Sequence, residues 1–450
     1  MSEEPAQPEE PAQPEEPSQP EARRGPFRPP VPPELLRGFV TAGLPALRGQ
    51  TRSEPEDFVV DEVPLYEPTD EGEHLFLRIE KRGITTDEAL RRIARRLKVP
   101  RRKIGHAGLK DAHALTRQTI SLQVRPFPDE AALASLEEEG VRVLWARPHR
   151  NKLKIGHLKG NRFQIRVRNP SLEGPASEHD PLSLAQEALA RLSARGVPNY
   201  FGLQRFGRER TTHRLGEALI REDGELFVTR LLGLCEFTPP SRGRLAEARE
   251  LARAKDYSAA AQAYPSSCNA ERVLCRNLAK GQEPERALRG VPFKVRNFYN
   301  NAYQSFLFNA YLSRRLERLD NLENGEIASL HRNGAAFLVE DAAAEQPRCE
   351  SLEISPSGPL FGQRLLRPAE GSGPWESEES VLAELAPGLG AELTPAWGLK
   401  PLGLRRPLRI PLGEASVEQE ACGSLRFDFT LGKGCYATSV LEELFQGSLD

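Results

Sequence analysis

Strict alternation of side chains over residues 162–168 is the feature that most constrains how this chain folds. The sequence reads RFQIRVR, so Phe163, Ile165 and Val167 fall on one face of an extended segment. The other face carries only polar side chains, Arg162, Gln164, Arg166 and Arg168. The pattern therefore predicts a strand with one packed face and one cationic face.

Further strands and helices are predicted along the chain from the periodicity of its apolar residues. Strand patterns cover residues 57–63, 74–80, 119–124 and 425–431. Helical patterns cover residues 85–99, 181–195, 244–263, 297–319 and 439–445. The first helix begins with a capping box, and Gly196 closes the second. We thus expect strands and helices in the first half of the chain, a mainly helical middle and a return to strand structure near its end.

The first 47 residues differ in composition from the rest of the chain. They are rich in Pro and Glu, and residues 3–20 consist of near-identical six-residue repeats without a basic residue. Such a segment buries too little apolar surface to offset its ordering entropy, so we expect it to be disordered. The net charge is −2 for the whole chain and +5 for residues 23–450, because seven glutamates lie in the first 22 residues. The body of the protein is therefore mildly basic.

Several classes of protein are excluded by patterns that the sequence lacks. No stretch approaches 18 consecutive apolar residues, and no apolar segment follows a basic N-terminus, so we expect a soluble, cytoplasmic protein without a membrane partner. The six cysteines form no C-x-x-C pair and no zinc spacing, which predicts reduced thiols and no metal site. A Walker A motif, a zinc-deaminase signature and a G-x-S-x-G elbow are also absent.

The first candidate for chemistry lies in residues 105–118, GHAGLKDAHALTRQ. The segment predicts a glycine-bearing loop between a helix and a strand, a place where catalytic residues often lie. Lys110 and nearby cations can keep the Asp111 carboxylate ionised as a nucleophile or general base. The alternative is an aspartate that caps a turn beside a surface lysine, and spacing alone favours this alternative.

Two further segments have the composition of an RNA-binding surface. In residues 198–207, PNYFGLQRFG, an aromatic ring can stack on an unstacked base while Asn199 contacts a base edge. The alternative there is a buried turn in which the aromatic residues pack. Residues 147–168 contain eight cations and no acid, which favours phosphate binding over a merely solvated strand.

Eight segments together resemble the TruD family of tRNA pseudouridine synthases, and they occur in the order usual for that family. The resemblance covers about residues 48–450. The segments are PEDFVVDEVP (55–64), DEGEHLFLRI (70–79), GLKDAHALTRQ (108–118), KLKIGHLKGNRFQIRVR (152–168), VPNYFGLQRFG (197–207), NAYQSFLFN (301–309), SPSGPLFG (355–362) and LGKGCYATSVLEEL (431–444).

The resemblance implies an α+β, or mixed α/β, catalytic domain of the pseudouridine synthase fold, built on a central antiparallel sheet. It also implies a family-specific TRUD domain inserted into the catalytic domain. We place the insert at residues 221–404, between a first catalytic part at 48–220 and a last part at 405–450, and the disordered tail at 1–47.

The implied reaction is the isomerisation of a tRNA uridine, typically at position 13, to pseudouridine. Asp111 matches the catalytic aspartate of the family, and Arg52 stands where the family often has lysine. The matching substrate-binding residues are Arg52, Phe58, Asn199 and Phe201. The predicted RNA contacts are Lys110, Arg150, Lys152, Lys154, Lys159 and Arg162.

The resemblance also implies tRNA as the partner, no cofactor and no metal, and we expect a monomer. Two alternatives stay open at this point. One is a pseudouridine synthase that acts on another RNA. The other is a catalytically silent RNA-binding protein on the same scaffold.

Overall fold

The computed structural model describes residues 31–173, 180–236, 238, 240–393 and 397–447. The strands of these residues are β1 (Leu47–Gln50), β2 (Phe58–Pro64), β3 (His74–Arg82), β4 (Ile104–His106), β5 (Leu115–Gln123), β6 (Val141–His149), β7 (Leu158–Leu172), β8 (Val197–Pro198), β9 (Ile327–Leu330), β10 (Ala336–Leu338), β11 (Ile354–Leu360), β12 (Leu404–Pro407), β13 (Arg409–Ile410), β14 (Leu412–Gln419) and β15 (Leu425–Gly432). The α-helices are α1 (Thr86–Arg96), α2 (Glu130–Ala134), α3 (Pro181–Arg195), α4 (Thr212–Ile220), α5 (Gly224–Leu231), α6 (Arg244–Arg253), α7 (Tyr257–Ala263), α8 (Asn269–Leu278), α9 (Pro284–Arg289), α10 (Phe293–Arg315), α11 (Ala342–Glu350), α12 (Gly373–Leu385) and α13 (Ala437–Phe445).

A nine-stranded sheet forms the centre of the fold, in the order β14-β15-β7-β2-β5-β3-β6, with β1 beside β7 and β4 beside β5. Its neighbouring strands run antiparallel, except for the parallel pair of β2 and β5. The expected mixed α/β fold on a mostly antiparallel sheet is therefore confirmed. Strand β7 contains the alternating segment and pairs with β2 on one side and β15 on the other.

The alternation of β7 has the predicted result for its apolar residues. Phe163, Ile165 and Val167 are buried in the main core, which α3, α10 and α13 cover. The arginines of the opposite face are not free cations, because acidic residues from other strands and turns neutralise them. The pairs are Arg162 with Asp428, Arg166 with Glu420 and Arg168 with Asp57.

A second core lies on the same face of the sheet, where α1 covers β3 and β5. Polar side chains that share this face separate the second core from the main core, since the register pairs Lys81 with Thr116 and Glu62 with Asn161. A third, helical core is built by α4 to α9. None of the described helices combines the length and apolar character needed to cross a bilayer.

The predicted boundaries differ from the packing at two places. Residues 1–30 of the expected disordered tail lie outside the described residues. Residues 31–47 do pack, because Leu35, Val40 and Leu44 bury their side chains in the main core and Thr41 binds the Glu443 carboxylate. The four-stranded sheet β10-β9-β11-β12 ends at Pro407, three residues beyond the predicted end of the insert.

Candidate active site

The carboxylate of Asp111 lies in the loop between β4 and β5 and is open to solvent. Its side chain is 57% exposed, and Oδ2 lies 3.5 Å from a guanidinium nitrogen of Arg52. That guanidinium covers the Phe58 ring, 4.1 Å from its centroid. Arg52 has a left-handed backbone with φ of 60°, which is uncommon for a residue other than glycine. The structure thus brings together three of the predicted site residues, Arg52, Phe58 and Asp111.

A buried lysine that the sequence analysis did not single out holds the backbone of Asp111. Lys81 is 1% exposed, and its Nζ donates to the carbonyl oxygens of Asp111 at 2.8 Å and Ile84 at 2.6 Å. Burial lowers the pKa of Lys81 to about 8, although the nearby Asp111 charge opposes this shift. Lys81 shares a face of β3 with Leu77 and Ile79, so a lysine in an apolar phase was the sequence signal for it.

Lys110 does not fit the predicted role of an RNA contact. Its side chain is 4% exposed, and Nζ lies 2.9 Å from Oε2 of the equally buried Glu62. The same nitrogen donates to Asn161 Oδ1 at 2.7 Å. Since Lys110 has a buried counterion, it would have to leave Glu62 unpaired to reach a phosphate. We therefore assign Lys110 to the support of the Asp111 loop.

Asn199 and Phe201 follow β8 and form a second group of predicted residues. Asn199 is buried, and its Nδ2 donates to the carbonyl oxygen of Pro407 at 2.8 Å. The main chain of Phe201 is clamped by Asn309, which accepts from its N–H at 2.9 Å and donates to its carbonyl at 3.0 Å. The Phe201 ring is partly exposed and meets the Phe308 ring edge-on, with centroids 5.6 Å apart.

Arg406 joins this second group from β12, and the sequence analysis missed it. Its guanidinium carbon lies 4.2 Å from the centroid of the Phe201 ring. It donates to the carbonyl oxygen of Asn199 at 3.2 Å and also to Asn199 Oδ1. Nothing in the local sequence indicates this contact, because about two hundred positions separate the partners.

The two groups are connected through the start of β7. Asn161, which binds Lys110, pairs in register with Leu431 of β15, and Lys433 donates its N–H to the Lys159 carbonyl at 3.0 Å. The chain then leads through Cys435 to the surroundings of Arg406, and burial raises the pKa of the Cys435 thiol to about 11. Within the described ranges, no hydrogen bond or ion pair joins the two groups directly.

The remaining predicted RNA contacts differ in whether an acidic side chain neutralises them. Arg150 pairs with Glu71, and Arg162 binds both carboxylate oxygens of Asp428 on the sheet face opposite to Asn161. Arg162 therefore does not face the Asp111 loop. Lys152 donates to the Arg102 carbonyl at 2.5 Å. Lys154 and Lys159 are exposed, and neither has an ion pair in the part of the chain that the structure describes.

The described residues also contain no cluster of three or more His, Cys, Asp or Glu side chains with the geometry to hold a metal ion. The polar groups that surround Asp111 are instead cations and amides. The Asp111 carboxylate faces solvent, and a hydrogen bond from the buried Lys81 fixes the Asp111 main chain. Such a carboxylate can serve as a nucleophile or as a general base.

Known proteins of one family are similar to this chain over most of its length. The family model "tRNA pseudouridine synthase D (TruD)" matches residues 37–444. The tRNA pseudouridine synthase D of Geotalea daltonii is 42% identical over 412 residues, which cover 91% of this chain and 100% of the relative. That of Geobacter metallireducens is 43% identical over 420 residues, covering 91% and 98%.

A crystal structure described as a tRNA pseudouridine synthase D from Methanosarcina mazei superposes with a TM-score of 0.75 at 27% identity. The superposition covers 92% of this chain and 98% of the other. The segment that the family model matches, residues 37–444, contains both groups of site residues and the whole nine-stranded sheet. This chain therefore belongs to the tRNA pseudouridine synthase D (TruD) family.

Proposed function

We propose that this protein isomerises a uridine of tRNA, at position 13, to pseudouridine, with Asp111 as its catalytic carboxylate. One observation carries the proposal. The exposed Asp111 carboxylate faces the Arg52 guanidinium, which in turn covers the Phe58 ring, while Lys81 and Lys110 fix the Asp111 loop from the buried side. Membership of the family supports the reaction and tRNA as its substrate.

The reaction breaks the bond from N1 to C1′, turns the base and joins C5 to C1′, while C5 loses a proton and N1 gains one. Asp111 can attack C1′ or C6, or it can abstract a ribose proton, and it can later accept the C5 proton as a general base. Each route needs an ionised carboxylate in contact with the nucleotide. Because C5 and C1′ are shielded in a stacked helix, we expect the uridine to be flipped out of the RNA.

Phe201 is the residue that we assign to stacking on the flipped base. Its ring is partly exposed, and its main chain is held by two hydrogen bonds to Asn309, so the ring is preorganised. Asn199 already uses Oδ1 for Arg406 and Nδ2 for Pro407. We therefore assign Asn199 to orienting Arg406 beside Phe201, and not to reading a base edge.

We also retain the division into domains as a proposal. The helices α5 to α9 lie within residues 221–404 and share a hydrophobic core with α4, which directly precedes them, and this core supports a separate unit there. In this proposal the inserted domain contacts tRNA away from the reacting nucleotide. We also propose that the chain acts as a monomer.

Mapping of pseudouridines in RNA from a strain that lacks the gene tests the target. We expect one pseudouridine to disappear, at position 13 of tRNA, and to return when the wild-type gene is restored but not when Asp111→Asn is restored. Loss only from other RNAs would favour the synthase with a different target. If no pseudouridine disappears from any RNA, the protein is an RNA-binding module and the proposal fails.

We predict that activity falls and stability rises between pH 8 and 10, because Lys81 loses its proton in this range. The pKa of Lys81 is about 8 in the folded chain and 10.5 ordinarily, so the unfolded chain binds more protons between pH 8 and 10. The contribution of Lys81 to the free energy of unfolding therefore rises with pH in this window. Activity falls there, because neutral Lys81 no longer places a positive charge beside Asp111.

The pH dependence of kcat in the wild type and in Lys81→Arg measures this effect, with denaturant midpoints at each pH. The guanidinium of the variant stays charged across the window. We expect a falling limb near pH 8 in the wild type and its absence up to about pH 9.5 in the folded variant. Identical limbs in both proteins would show that Lys81 does not cause the decline.

A further inference from the structure

The surroundings of Phe201 contain two arginines that lack the acidic partners found elsewhere in this protein. The guanidinium of Arg406 lies 4.2 Å from the Phe201 centroid, and that of Arg205 lies 5.2 Å from it. Neither guanidinium has a carboxylate oxygen within ion-pair distance among the described residues, and Arg406 has only the two oxygens of Asn199 as acceptors. By contrast, the adjacent Arg405 pairs with Glu378.

Arg406 carries its positive charge in a buried position with another cation nearby. The pKa of Arg406 is lowered to about 10, mainly by burial; Cys435 and Tyr436 oppose this shift, and the positive charge of Arg205 adds to it. Contact with the Phe201 and Phe308 rings offsets part of this cost, since aromatic faces attract cations. A fold that keeps two like charges beside one ring, without a counterion, leaves room for an anion supplied from outside.

We propose that Arg205 and Arg406 bind one phosphate group of the RNA backbone, next to the nucleotide that stacks on Phe201. This inference rests on the proposed function and adds the part of the substrate that these two residues recognise. A guanidinium binds two phosphate oxygens at once, which a lysine ammonium cannot do. The phosphate would fix the backbone of the flipped nucleotide, so that its base meets Phe201 and its ribose faces Asp111.

The test measures binding of a tRNA transcript in the Asp111→Asn background, so that turnover does not interfere. Dissociation constants are measured between 50 and 200 mM salt for Arg205→Gln, Arg406→Gln and the double variant. Each phosphate contact adds about 0.7 to 0.9 to the slope of log affinity against log salt, so we expect the double variant to lose about that much. Arg348→Gln is the control, because Glu345 and Glu353 cancel its charge.

A methylphosphonate scan identifies the phosphate. Each phosphate within two nucleotides of the target uridine is replaced by the neutral analogue. We expect one replacement to weaken binding about tenfold in the parent protein and to have no effect in the double variant. If every replacement weakens both proteins equally, or if the salt slope of the double variant is unchanged, the proposal is wrong.

Two further measurements distinguish a lost phosphate contact from a folding defect and from a site for a free anion. If Arg406→Gln lowers the unfolding midpoint, Arg406→Lys is used in its place, together with the scan on the parent protein. We expect the lysine variant to lose most of the sensitivity to the methylphosphonate. Heat stabilisation of the parent protein by inorganic phosphate as strong as that by RNA would indicate a site for a free anion and overturn the proposal. Because these are binding measurements, they can succeed where pseudouridine formation fails, and the reverse.

Discussion

Replacing Asp111 by asparagine is expected to lower kcat for pseudouridine formation by about 10⁴-fold or more, with tRNA affinity nearly unchanged. Asparagine has almost the same shape as aspartate, but its amide is neither a nucleophile nor a base. The folded structure should tolerate the change, because the carboxylate is 57% exposed and lies 3.5 Å from its partner Arg52. Exposed pairs of this kind contribute about 0 to 1 kcal/mol.

Single-turnover rates, dissociation constants and unfolding midpoints of the two proteins measure the three parts of this prediction. Asp87→Asn is a matched control, since Asp87 is 64% exposed and lies 3.3 Å from Arg101. We expect the control to keep the full rate. An Asp111→Asn protein that retains a tenth of the wild-type rate would remove Asp111 from the chemistry.

Replacing Glu62 by alanine is expected to lower the free energy of unfolding by about 3 to 5 kcal/mol, because it leaves the buried ammonium of Lys110 without its counterion. The two side chains are 1% and 4% exposed, so water cannot replace the lost partner. Glu62 also accepts the N–H of Thr119 at 3.0 Å. The same change should lower activity, since Lys110 directly precedes Asp111.

Denaturant unfolding followed by circular dichroism measures this loss. The control is Glu88→Ala, whose carboxylate pairs with Arg91 and Arg92 on the surface of α1 and should cost far less, because water screens exposed ion pairs. The double variant with Lys110→Met should be more stable than Glu62→Ala alone, because the uncompensated charge is gone. A loss below about 1 kcal/mol in Glu62→Ala would contradict the assignment of this pair.

The sheet was predictable because its strands follow a period of two. Phe163, Ile165 and Val167 lie in the main core as their alternation requires. The same rule held a signal for the site, since Lys81 and Glu62 are charged residues in otherwise apolar phases of β3 and β2. A charge in such a phase is expensive to bury without a partner or a function.

Local sequence could not show the partners that come from distant parts of the chain. The cations of residues 147–168 have no acid among them, yet Asp428 and Glu71 neutralise Arg162 and Arg150. Likewise, no spacing rule places Arg406 against Asn199, because the contact arises only when β13, which follows β12, pairs with β8. The tail boundary was missed for a related reason: Leu35, Val40 and Leu44 are sparse in sequence but meet the same core.

The most direct measurement of the proposed activity uses the purified wild-type protein and one tRNA transcript labelled with tritium at C5 of its uridines. Formation of the bond from C5 to C1′ displaces the C5 hydrogen, so isomerisation releases tritium to water. We expect one tritium to be released per tRNA, and none when uridine 13 is replaced by cytidine. Binding of the transcript without any release of tritium would contradict the assignment of this chain as a pseudouridine synthase.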